Sequence, residues 1–125
     1  MRIFKGADFD DWAKKNKISN DSLITATREI SMGLVDANLG GGVIKKRVAL
    51  DGRGKRGGAR TILAFRVGDI AVFIYGYAKN KKSDLTPKEE KALKMLAKTY
   101  FSLSESELDK AVAKGQLIEI KGQGD

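Results

Sequence analysis

Residues 60–78, RTILAFRVGDIAVFIYGYA, decide the fold. Two apolar runs with strand character, 60–67 and 70–78, meet at Val67-Gly68-Asp69, a short glycine turn suited to an antiparallel hairpin. Just upstream, residues 43–50 (VIKKRVAL) alternate, sending Val43, Lys45, Arg47 and Ala49 to one face and Ile44, Lys46, Val48 and Leu50 to the other. These three segments are expected to form a central antiparallel meander.

Helical signals flank the meander on both sides. Phe9, Trp12 and Ala13 recur at i, i+3, i+4, predicting a short amphipathic helix over 8–16 after a strand at 2–5. Ser19 and Asp21 open a second helix, carried by Leu23, Ile24, Thr27, Ile30 and Leu34 and ending near Gly33. Thr86-Pro87-Lys88-Glu89 combines an N-cap, a first-position proline and a capping glutamate. It predicts a helix over 87–101 with Ala92, Leu93, Leu96, Ala97 and Tyr100 on its apolar face. Ser104 and Glu107 repeat the capping box, Leu103 and Leu108 supply its hydrophobic staple, and Gly115 can end the helix. QLIEIK at 116–121 suits a closing strand. The expected architecture is α+β.

The 125 residues suffice for one domain, 1–125, with its own core and no need of disulfides or metals. Cysteine and histidine are both absent. That removes thiol nucleophiles, zinc fingers, His-ligated metals and Ser-His-Asp triads, so any proton transfer must use Lys, Tyr, a carboxylate or water. No metal and no cofactor are expected. MRIFKGADFDDW at the start has no apolar h-region, and no run approaches the ~20 apolar residues of a membrane span. The expectation is a cytoplasmic protein with no membrane partner.

Charge is distributed unevenly. Residues 40–82 hold eleven Lys and Arg against Asp51 and Asp69, a net charge of +9, while the rest of the chain sums to −1. Such a glycine-punctuated segment suits a polyanion, above all a nucleic-acid backbone. Gly52 to Gly57 match G-x-G-x-x-G formally, yet the fingerprint needs a strand before and a helix after, and here strands stand on both sides. A Walker loop fails as well, because Lys55 is followed by Arg56. The plainer reading of 51–58 is a solvated hairpin loop. Lys45 and Arg47 project together. With Arg60 beside them and Lys79, Lys81 and Lys82 at the end of the third strand, they would form a convergent cationic cup rather than an ordinary solvated sheet face.

LGGGVIKKRVA (39–49), GKRGGARTILAF (54–65) and FIYGYAKNKKSDLT (73–86) resemble the RelE/HigB-like toxins of bacterial type II toxin–antitoxin systems. The resemblance is strongest in that block and extends more weakly over nearly the whole chain. It implies a microbial-ribonuclease-like fold, a twisted antiparallel sheet with helices packed on one side. It also implies a ribosome-dependent messenger RNA endonuclease that is inactive while a cognate antitoxin, of helix-turn-helix type, binds it. Ribosome and messenger RNA would be its other partners. The family's paired basic strand residues fall on Lys45 and Arg47, its arginine after the loop on Arg60, and the basic residue ending the third strand on Lys79. Arg47 stands where the best-known members carry lysine, and the family's C-terminal tyrosine has as candidates Tyr75, Tyr77 and Tyr100, with Tyr77 placed in the catalytic set.

Cleavage by 2′-oxygen attack needs a base, positive charge for the phosphorane and a proton for the leaving 5′-oxygen, but no metal. Crowding by Arg47, Arg60 and Lys79 is expected to lower the Lys45 pKa and make it the base. Arg47 and Arg60 would grip the phosphate, with Lys79 or a tyrosine protonating the leaving group. Lys46, Arg53, Lys55, Arg56, Lys81 and Lys82 would then hold RNA backbone. A non-catalytic nucleic-acid-binding module, or an inactive homologue that binds only its antitoxin, would carry the same charge.

Overall fold

The computed structural model describes residues 1–50, 58–78, 80–82 and 84–121. In chain order these form β1 (Arg2–Gly6), α1 (Ala7–Lys15), α2 (Asn20–Ser31), β2 (Ala37–Gly40), β3 (Val43–Val48), β4 (Ala59–Arg66), β5 (Ile70–Tyr77), α3 (Pro87–Phe101), α4 (Glu105–Ala113) and β6 (Leu117–Ile120). The strands make one sheet in the order β2-β3-β4-β5-β1-β6. The β3–β4–β5 meander stands as expected, and its turn places Gly68 at φ +73°. Three features were not legible in the local pattern. β2 pairs antiparallel with β3, β1 runs parallel to β5, and β6 closes the far edge against β1.

The α+β class holds, but helices cover both faces of the sheet rather than one. Alternation along each strand supplies two apolar surfaces, and neither can remain open to water. On one face Ile44, Val48, Leu63, Phe65, Ala71 and Phe73 pack with Phe9 and Ala13 of α1 and Leu23, Ala26 and Ile30 of α2. On the other, Val43, Ile62, Ala64, Val72 and Phe4 pack with Leu93 and Ala97 of α3 and Leu108 of α4. Both predicted capping boxes form, Thr86 with Glu89 and Ser104 with Glu107. The apolar stripe of α3 is narrower than its sequence suggests: Leu93 and Ala97 are buried, while Ala92 and Leu96 are exposed.

Two buried lysines tie the first face together. Lys5 of β1 meets the Asp10 carboxylate of α1 at 2.6 Å and donates to Asn20 Oδ1 of α2 at 2.8 Å. Burial alone would push the Asp10 carboxyl upward, but hydrogen bonds from Lys5 and Lys14 overcome that and hold it below the ordinary aspartate value. Lys46 of β3 meets Glu29 of α2 at 3.1 Å and donates to the Leu34 carbonyl at 2.8 Å.

β5 is interrupted at Ile74. Ile62 of β4 stands opposite Tyr75 while its neighbour Leu63 stands opposite Phe73, so Ile74 is an extra residue without a cross-strand partner. After this bulge the strand's facing is reversed. Tyr75 and Tyr77 join the α3 face, and Gly76 turns to the α1 face, where the Trp12 indole lies against its backbone. A Cβ on Gly76 would sit 2.1 Å from Trp12 Cζ3. Gly76→Ala is therefore expected to destabilise the fold by about 1–3 kcal/mol. The loss should shrink in a Trp12→Leu background, which a double-mutant cycle on urea-unfolding midpoints reads directly.

Candidate active site

Register across the meander builds the site. Arg47 of β3 stands opposite Arg60 of β4, and Arg60 stands opposite Tyr77 of β5, so three of the sequence candidates form one cross-strand row. The adjoining row is Lys45, Ile62 and Tyr75. Without the Ile74 bulge Gly76 would face Arg60 and the tyrosines would lie on the opposite side. Both rows lie on the α3 face at the end of the sheet.

The connection from β5 to α3 folds back over this end. Lys81 and Lys82 turn on the Ala78 carbonyl, and Lys82 Nζ donates to Glu89 Oε1 and Oε2 at 2.5 and 2.6 Å. Asp84 is thereby carried against the sheet. Its Oδ1 accepts from Lys45 Nζ at 2.8 Å and from the Leu85 N–H at 2.8 Å, and lies 3.5 Å from the Tyr77 hydroxyl, the outer limit of hydrogen-bond distance. Tyr77 is buried as a ring in the α3-side core, with its hydroxyl at the margin. Its ring centroid lies 6.1 Å from that of Tyr75.

Several expectations are revised by this geometry. Lys45 is not a depressed-pKa amine: its hydrogen bond to Asp84 raises its pKa above the ordinary lysine value, outweighing both burial and the repulsion of Arg60. Asp84 is held below the ordinary aspartate value by the same bond. Burial raises the Tyr77 pKa. Lys46 does not point at the cup, because strand alternation buries it on the opposite face with Glu29 and Leu34. Its ammonium is engaged inside the fold and not at the cup. Lys82 is engaged by Glu89, whereas Lys81 is exposed on the turn.

Arg47 lies opposite Arg60 in the strand register. Its backbone N–H donates to the Asp36 carboxylate, and its Nε is buried with no hydrogen-bond partner among the described residues. Lys79, Arg53, Lys55 and Arg56 lie outside the described residues. Asp84 was not among the sequence candidates. It stands two residues before the Thr86 N-cap in SDLTPKEE, where a helix-start aspartate accounts for it and nothing local signals its partner 39 positions away. Among the described residues no group of three or more metal-ligating side chains is assembled, and no helix is long and apolar enough to cross a membrane.

The Lys45–Asp84 pair has a definite pH window. The raised lysine stabilises the fold below its unfolded value of about 10.4, and this is lost as pH rises through the folded pKa. The lowered aspartate contributes above its unfolded value of about 3.9, and this is lost as pH falls through the folded pKa. Asp84→Asn should thus lower the Lys45 pKa in an NMR titration of its side chain. The small melting-temperature deficit of that variant at neutral pH should close as pH falls through the lowered folded pKa of Asp84, below which the wild-type carboxylate is itself protonated.

The family model described as RelE toxin of the RelE/RelB toxin–antitoxin system matches residues 1–120 of the chain. A comparison with curated proteins gives no match.

Proposed function

Because this chain belongs to the RelE toxin family of toxin–antitoxin systems, we propose that it is a toxin that cleaves messenger RNA on the ribosome, without a metal ion, by attack of a 2′-oxygen on the adjacent phosphate. The observation that carries this reading is the cross-strand row of Arg47, Arg60 and Tyr77 with Lys45 beside it. Arg47 and Arg60 offer planar forks of donors to a phosphate, and the Lys45 ammonium adds a point charge. These cations count most where negative charge grows during reaction, on the phosphorane oxygens. Tyr77 sits at the edge of the row with its proton retained by burial, a suitable donor to the leaving 5′-oxygen.

Lys81, and the further basic residues Arg53, Lys55 and Arg56, would hold RNA backbone and position it without reading its bases. An antitoxin, of helix-turn-helix type, would mask the cup with an acidic or helical segment, in an interface that salt weakens.

Expression of the chain alone should arrest growth, and co-expression with its adjacent small gene should restore it. In a translating extract the wild type should leave 2′,3′-cyclic phosphate or 3′-phosphate ends. Lys45→Ala, Arg60→Ala and Lys79→Ala should each slow cleavage on the order of 10²-fold or more while weakening RNA binding only slightly. If the wild type leaves message intact, or all three variants match it, the cup is a binding surface and not an active site.

A further inference from the structure

Attack by a 2′-oxygen requires a group that takes the 2′-proton, and most side chains meeting at this site already carry protons at neutral pH. Arg47 and Arg60 are guanidiniums, which do not deprotonate in proteins. Asp84 holds Lys45 as an ammonium, and burial keeps the Tyr77 proton on its oxygen. The Asp84 carboxylate is different. Its Oδ1 is oriented by Lys45 Nζ and by the Leu85 N–H, both at 2.8 Å. No hydrogen bond reaches Oδ2 from the described residues, and the side chain is 62% exposed. The carboxylate is thus fixed on one side by Lys45 and the Leu85 N–H and open on the other.

We propose that Asp84 is the proton acceptor of the cleavage reaction, with Lys45 beside it serving as a phosphate-stabilising cation and not as the base. The inference rests on the cleavage reading above. As the 2′-O–H bond breaks, its proton passes to Asp84 Oδ2 and the freed electron pair forms the O2′–P bond. The P–O5′ bond breaks, and the departing O5′ takes the Tyr77 proton. The Oδ2 proton then leaves to solvent and the Tyr77 oxygen takes one back from solvent, which resets both groups. Atoms and charge balance without a co-reactant.

A carboxylate base and a lysine base have different pH signatures, since the first is in its proton-accepting form across the neutral range and the second, an ammonium, is not. Single-turnover cleavage on messenger-programmed ribosomes, measured from about pH 6 to about pH 8.5, separates them. The wild-type rate should be nearly flat. Asp84→Asn, whose amide oxygen still accepts from Lys45 and Leu85, should lose about 10²-fold and climb about tenfold per pH unit as hydroxide takes over. Asp84→Glu should restore a flat profile with a smaller loss. A wild-type rate that itself climbs about tenfold per unit overturns the assignment, even if the amide variant does not fold. So does Asp84→Asn cleaving at the wild-type rate, and in both cases the cleavage reading survives. Absence of any wild-type cleavage overturns that reading and the role of Asp84 with it.

Discussion

Ile74 has no partner across β4, and from this one unpaired residue the position of the tyrosines, the seat of α1 and the composition of the site all follow. Strand side chains alternate with a period of two, so one inserted residue moves everything beyond it to the other face. Tyr77 arrives opposite Arg60 on the α3 side, while Gly76 arrives beneath Trp12 on the α1 side. The glycine lets the indole reach the backbone, and this contact holds α1 over the end of β5. The same shift thus packs one face and furnishes the other.

Crowding arginines across adjacent strands is unfavourable unless acids moderate the charge or an anion occupies it. The protein places acids at the margin of the cup and not within its cross-strand row. Asp84 holds Lys45, Glu89 holds Lys82, and Asp36 accepts the Arg47 N–H. Hydrogen bonds to these acids orient the Lys45 and Lys82 ammoniums at the margin, while Arg47, Arg60 and Tyr77 form the cross-strand row. Adjacent lysines meet different fates for the same reason of geometry. Lys45 projects into the cup, and Lys46, one position on, is buried against α2, where its pairing with Glu29 helps dock the helix. Removing one partner of such a buried pair would leave a desolvated charge behind, which makes Lys46 a residue of the fold.

The chain's local signals determined its elements. Helical spacing around Leu23 and Ile30, the capping boxes at Thr86 and Ser104, and the glycine turn at Gly68 are short-range interactions, and the helices and central strands lie within a few residues of where those signals put them. Alternation in VIKKRV also placed Lys45 and Arg47 on one face, and with the Gly-Ala-Arg sequence it placed Arg60 near them. What only the tertiary structure decided are relations between distant segments. These are the parallel seat of β1 against β5, the division of the helices between two faces, the bulge that brings Tyr77 to Arg60, and the approach of Asp84 to Lys45. Propensity and capping act within a few residues along the chain. Cross-strand register and side-chain pairing depend on which segments become neighbours once both faces of the sheet have been buried, and no local pattern encodes that choice.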